Sequence, residues 1–284
     1  MKGTRILVYF FFVVLVASCD SPEELSDCRF PADYKYRLVW SDEFEGNALD
    51  TSKWSFDLGD GCDRGEGNEL CGWGNNELQY YTDRQENVKV EDGKLIITAK
   101  AESPLYEDEF AYTSARLVTK NKGDWRYGKI DVRARLPIGQ GLWPAIWLLP
   151  TENVYGIWPT SGEIDVMEAT GDKDDQVFGT IHWGHDRHRW NEQRFIKTDS
   201  IFYKEFHTYT AIWVEDCILF QVDGEDVGVP NNRSTTLPST WPFDQFFHII
   251  LNVAVGGNLP GNPDGTTQFP QTMEVDYVRV YQVE

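Results

Sequence analysis

Apolar and charged residues take turns through Lys129-Ile130-Asp131-Val132-Arg133-Ala134-Arg135-Leu136. That period of two sets one face of a strand against a core and the other in solvent. Shorter β-prone runs recur on both sides: Tyr36 to Trp40, Lys94 to Ala99, Ser114 to Thr119, Ala145 to Leu149 and Glu163 to Met167. Val177 to Trp183, Tyr209 to Val214, Ile218 to Val222, Phe247 to Val253 and Glu274 to Gln282 follow. Asp92-Gly93, Glu215-Asp216 and Asp223-Gly224 supply tight turns between runs. No long segment has a period of 3.6, and the most helix expected is a short turn near Asp199 to Glu205. Many short strands with turn signals predict an all-β chain, a β-jelly-roll sandwich of two antiparallel sheets with a concave face. No internal repeat or second composition block interrupts residues 34–284, which read as one domain with a sizeable core.

The acidic excess narrows the partners. With 26 basic against 46 acidic residues the net charge is -20, a field that repels phosphate backbones and excludes nucleic acid as a partner. A neutral glycan meets no such repulsion, and the 11 Trp, 13 Tyr and 16 Phe can fill a core or pave a sugar cleft. None of the spacings among the five His, and no Cys/His spacing, matches a metal site.

At the N-terminus Lys2 and Arg5 precede the apolar run Ile6 to Val16, which is shorter than the roughly 20 residues a membrane span needs. It reads as a signal peptide. Val16-Ala17-Ser18-Cys19 resembles the bacterial lipoprotein cleavage box. That implies removal of residues 1–18, lipid attachment at Cys19, and a place in the bacterial cell envelope at a membrane. Residues 19–33, acidic and carrying Pro22 and Pro31, read as a tether. Export permits disulfides. Cys62 and Cys71, bracketing a Gly-rich loop, are the expected pair, and Cys217 in an apolar strand is expected to be buried.

Gly162-Glu163-Ile164-Asp165-Val166-Met167-Glu168 packs three carboxylates into six residues. On a strand Glu163 and Asp165 share a face, and strict alternation sends Glu168 to the other. One extra residue, a β-bulge, returns Glu168 to the first face. Glu163 and Glu168 then stand roughly 13 Å apart at their Cα atoms, and side chains leaning inward bring the carboxyls to ~5–6 Å. Two carboxyls across a glycosidic bond are the minimum apparatus for its hydrolysis, and the closer spacing suits the retaining, double-displacement route. Asp165 between them would keep the two Glu pKa values apart.

These residues resemble the family 16 glycoside hydrolases, in particular laminarinase-type endo-β-1,3-glucanases with the bulged motif. Leu38 to Phe44, Trp73 to Thr82, Gly141 to Leu148, Asn252 to Asn258 and Asp276 to Gln282 resemble the family's other landmarks and cover residues 36–282. The resemblance implies that Glu163 is the nucleophile, Glu168 the general acid/base and Asp165 the assistant. It implies an aromatic cleft floor from Trp143, Trp147 and Trp158, and polar substrate contacts from Asn75 and Arg116. His182, on the neighbouring strand, would reach the carboxylates or sit in the core behind them. No cofactor is expected for catalysis. A structural calcium is implied at Glu43, the Gly93 carbonyl and Asp276, hard oxygen ligands of the right kind. The expected partner is a β-glucan polysaccharide, and the expected state a monomer. A mixed-linkage β-1,3-1,4-glucanase, an agarase-like galactanase and a non-hydrolytic glycan-binding protein are the alternatives, the last disfavoured by the presence of both glutamates.

Overall fold

The computed structural model describes residues 35–62, 70–197, 201–236 and 241–284. The expected signal peptide, Cys19 and the tether lie outside them. The strands, in chain order, begin with β1 (Tyr36–Asp42), β2 (Ser55–Phe56), β3 (Gln79–Tyr81), β4 (Val88–Glu91), β5 (Lys94–Tyr106) and β6 (Phe110–Ser114). Next are β7 (Arg116–Val118), β8 (Asp124–Trp125), β9 (Gly128–Arg135), β10 (Leu142–Pro150), β11 (Glu163–Glu168) and β12 (Gln176–Trp183). The last are β13 (Arg189–Ile196), β14 (His207–Val214), β15 (Cys217–Val222), β16 (Glu225–Asn232), β17 (Phe247–Val255) and β18 (Gln271–Val283).

They form two sheets, antiparallel except where β3 lies parallel to β6. One runs β16-β15-β14-β9-β18-β5-β6-β3, with β1 on β18 and β4 on β5. The other runs β13-β12-β11-β10-β17-β7-β2, with β8 on β17. The strictly alternating run is β9: Ile130, Val132 and Ala134 point into the space between the sheets. There they join Ile249, Leu251 and Val253 of β17, Ile146 and Leu148 of β10, and Val278 and Val280 of β18 in one core cluster. The sheets approach closely where β12 carries Gly179, since a Cβ there would stand 2.5 Å from the Phe220 ring.

The turn chemistry acts as expected. Asp92-Gly93 and Asp223-Gly224 both have positive φ at each residue, the backbone a two-residue hairpin requires. They join β4 to β5 and β15 to β16, while Glu215-Asp216 joins β14 to β15. Cys62 and Cys71 are disulfide-bonded. Cys217 is buried, as expected, and is also disulfide-bonded, to a partner outside the described residues.

Two expectations need correction. The helical turn near Asp199 to Glu205 is not helix in its described part, residues 201–205; Lys204 N–H closes a single turn on the Ile201 carbonyl. The short α1 (Arg233–Thr236) forms instead after β16. In addition β13 and β16 escape a hydrophobicity reading. Both are half-exposed edge strands whose polar residues, such as Asn191, Gln193 and Asn231, do the pairing between them.

Candidate active site

The bulge falls inside the carboxylate run. Asp165 stands opposite Trp147 and Met167 opposite Ile146, so Val166 is the residue without a partner on β10. On the other side Asp165 faces Thr180 and Glu168 faces Phe178, three steps against two. Val166 and Met167 therefore both enter the core, 4% and 0% exposed. Glu163, Asp165 and Glu168 all remain on the face turned away from it. Gly162, at φ +85, turns the chain into this strand where any Cβ would stand 2.9 Å from Pro242.

Each carboxylate is gripped differently. Trp158 Nε1–H donates to Glu163 in a very short bond, and Trp143 Nε1–H donates to Glu168 Oε1 at 2.9 Å. His182 Nε2 lies 3.1 Å from Asp165 Oδ2. One oxygen each of Glu163 and Asp165, with one ring nitrogen of His182, all lie within 4.8 Å of one another. Asp165 is the deepest of the three, 2% exposed. Burial, then the charge of Glu168, holds its carboxyl well above the usual range. Burial, then Asp165, raises Glu163 to about 8, against the opposing pull of His182 and Trp158. Burial raises Glu168 to about 7, with Glu163 adding to the rise and His182 and Trp143 opposing it.

So dense a set of acids cannot all ionise. Asp165 is the least solvated of the three. Glu163 and Asp165 share a hydrogen bond that favours the proton on Glu163, and Trp158 donates to Glu163. Glu168, poised near neutrality, can give and take a proton.

The side of the cleft toward β10, β17 and β7 is built as one polar and aromatic stack. Trp147, two residues from Ala145 on the same face of β10, donates through Nε1 to Asn252 Oδ1 at 2.7 Å. Asn252 Nδ2 in turn donates to the Tyr81 hydroxyl at 3.0 Å. The Arg116 guanidinium sits between two indoles, 4.4 Å from the Trp73 ring centre and 4.7 Å from that of Trp147, and its Nε is 3.0 Å from Asp57. Asn75 Nδ2 reaches Glu77 Oε1 at 3.4 Å. Gln79 donates to the same carboxylate at 2.7 Å, and burial pushes that carboxyl up.

Sequence reasoning placed Trp143, Trp147, Trp158, Asn75, Arg116 and His182 around one cleft, and the structure brings all six to the face that carries the carboxylates. Trp143 and Trp158 do more than pave it, because their N–H groups hold the two glutamates. Asn252, Glu77, Tyr81 and Trp73 were not singled out. Their signal was available only as membership of the landmark runs Trp73 to Thr82 and Asn252 to Asn258. His188, whose Nε2 is 2.8 Å from His182 Nδ1, was also not singled out; its signal was the run His182, His185 and His188, three of the five His within seven residues. A cavity of about 650 Å³ lies elsewhere, lined by Trp40, Trp125, Thr151 and Phe246 among others, and none of the carboxylates borders it.

The implied calcium ligands are already engaged. Glu43 accepts from Arg279 Nε at 3.0 Å and from its terminal nitrogen at 2.8 Å, which keeps its carboxyl below the usual range. Asp276 Oδ2 accepts from Arg133 at 2.6 Å. Calcium binds anionic oxygens, and here guanidinium groups already compensate both carboxylates. As arranged, these side chains do not fit the ion.

A bulged strand that sets two glutamates and an aspartate on the open face of an antiparallel sandwich defines a glycoside hydrolase. The chain belongs to the glycosyl hydrolases family 16, whose family model matches residues 75–279. It is 45% identical over 257 residues to the beta-glucanase of Rhodothermus marinus, covering 87% of this chain and 85% of that protein. It is 43% identical over 267 residues to glucan endo-1,3-beta-glucosidase A1 of Niallia circulans, with 88% of this chain matched but only 38% of that longer protein. Among solved structures, the laminarinase catalytic domain of Thermotoga maritima superposes with a TM-score of 0.78 at 42% identity, covering 87% of this chain and 98% of the other.

Proposed function

We propose that the protein is a retaining endo-hydrolase of β-1,3-glucosidic bonds in laminarin-like β-glucans. The observation that carries this reading is the Val166 bulge, which puts Glu163 and Glu168 on one face, each held by an indole N–H. Glu163 attacks the anomeric carbon while Glu168 protonates the departing glycosidic oxygen. Water, deprotonated by Glu168, then releases the glycosyl group from Glu163. Asp165, hydrogen-bonded to Glu163, assists the attacking carboxylate, and His182 stands 3.1 Å from Asp165 on the next strand. Two carboxylates suffice for both steps, so the chemistry needs no cofactor. The relatives named above support the β-1,3 preference, and they act on glucans as their names state.

The test is the product profile from laminarin, mixed-linkage β-1,3-1,4-glucan and agarose, with the anomeric configuration of the first products read by NMR. Internal cleavage of laminarin to β-configured products supports the reading. Inverted products, or action on agarose alone, overturn it.

A lipid anchor at Cys19 is proposed from Lys2 and Arg5, the apolar run Ile6 to Val16 and the box Val16-Ala17-Ser18-Cys19. The enzyme, proposed as a monomer, would then be held at the cell-envelope membrane by the acidic tether 19–33. Fatty-acid labelling of wild type, lost in Cys19→Ala, supports it, and an unlabelled wild type refutes it. A structural calcium at Glu43, Gly93 and Asp276 would have to displace Arg279 and Arg133. A chelator-reversible rise in melting temperature with Ca²⁺ is the result that would establish it.

A further inference from the structure

Trp190 on β13 stands directly opposite His182 of β12, and His182 stands directly opposite Glu163. Residues paired across antiparallel strands share a face. The Trp190 indole therefore leaves the sheet on the side of the carboxylates, two strand spacings or roughly 10 Å from the Glu163 backbone. It is 60% exposed, and Trp158 is 51% exposed. His188 lies between them, its ring centre 4.7 Å from that of Trp158 and 5.3 Å from that of Trp190. Through its bond to His182 this imidazole is fixed in place. A continuous ledge of rings thus begins at the indole that holds Glu163 and ends at the edge of the sheet.

The fold itself does not require that ledge. The opposite face of β13 is fixed against β16, where Asn191 Nδ2 donates to Asn231 Oδ1 at 2.7 Å and Gln193 Oε1 accepts from Val229 N–H. Large apolar rings left in water signal a surface that something covers. The occupant follows from continuity with the cleft. On the far side of β11 lie Trp147, Arg116 and Asn75, so a polymer lying across the strands from them over the carboxylates runs next onto β12 and β13. The ledge is aromatic where it meets the chain, which suits the apolar C–H face of a pyranose rather than a charged group.

We propose that Trp158, His188 and Trp190 form an aromatic subsite that stacks a glucosyl residue of the bound chain on the β13 side of the cleaved bond. Trp190 then determines how strongly long chains are preferred over short ones. This rests on the β-glucan reading above.

The experiment compares kcat/KM of wild type, Trp190→Ala and Trp190→Phe on β-1,3-gluco-oligosaccharides of increasing length, with cleavage positions mapped on end-labelled chains. The expected result for Trp190→Ala is a loss that grows with chain length to about tenfold, with a shifted cleavage pattern. Trp190→Phe recovers most of it. Melting temperatures close to wild type show that both variants fold. A loss independent of length, or none, in an enzyme that still cleaves β-1,3-glucan overturns the subsite alone. A wild-type protein inactive on every β-glucan overturns the functional reading, and the subsite with it.

Discussion

Replacing Glu168 by Gln should disable the enzyme and stabilise it, and the stabilisation should depend on pH in a defined direction. The side-chain amide oxygen that Glu168→Gln introduces can still accept from Trp143 Nε1–H, so packing is preserved while the charge is removed. In the wild type the Glu168 carboxyl rises from 4.5 to about 7. Between those values the folded protein holds a proton that the unfolded chain has lost, so stability falls as pH rises through this window. At about 1.4 kcal/mol per pKa unit the full loss is about 3 kcal/mol. Both glutamates keep an edge open to cleft water, which reduces it to roughly 2 kcal/mol. Glu168→Gln lacks that loss. Its melting temperature should match wild type near pH 4 and exceed it by about 5 °C at pH 8. Activity should fall by ~10²–10⁴ at its optimum, and wild-type kcat/KM should decline above about pH 7 as Glu168 loses its proton. Thermal unfolding from pH 4 to 8, beside initial rates on laminarin, reads all three. A difference in melting temperature that is constant with pH, or that favours wild type at pH 8, would refute the account of a buried carboxylate held above its ordinary pKa.

Other outcomes follow from the same geometry. Glu163→Gln removes the proposed nucleophile and should leave less than ~10⁻³ of wild-type activity on laminarin, with binding of the polymer retained in affinity electrophoresis. Deleting Val166 removes the bulge. Glu168 or Glu163 must then turn into the core, and activity should vanish along with a large drop in melting temperature. Asn252→Ala leaves the Trp147 N–H without its acceptor and removes a donor to the Tyr81 hydroxyl, which keeps Glu77; it should lower stability by about 1–3 kcal/mol in chemical denaturation and raise KM.

Much of the fold was legible because its core strands obey simple rules. The alternation in Lys129 to Leu136 marked out β9, and Asp-Gly pairs at 92–93 and 223–224 marked two hairpins, since only left-handed backbone closes such loops. The edge strands β13 and β16 were not legible. Their pairing is carried by side chains such as Asn191 and Asn231, 40 residues apart in sequence, and the local pattern contains no trace of that contact.

The carboxylate site divides in the same way. Six residues from Glu163 to Glu168 settle on their own that a bulge is needed, because side chains on a strand alternate and the separation of the two glutamates is odd. Paired carboxylates on one face are what glycosidic cleavage uses, but the reaction type was legible as much in the landmark runs along residues 36–282 as in these six residues. Only the tertiary structure decided how those acids are tuned. Trp143 and Trp158 grip the glutamates, His182 reaches Asp165 from the next strand, and burial raises all three carboxyls. Hydrogen bonds, desolvation and the repulsion between charges act over a few ångströms of space, whatever the distance along the chain, and Trp190 enters the cleft for that reason alone.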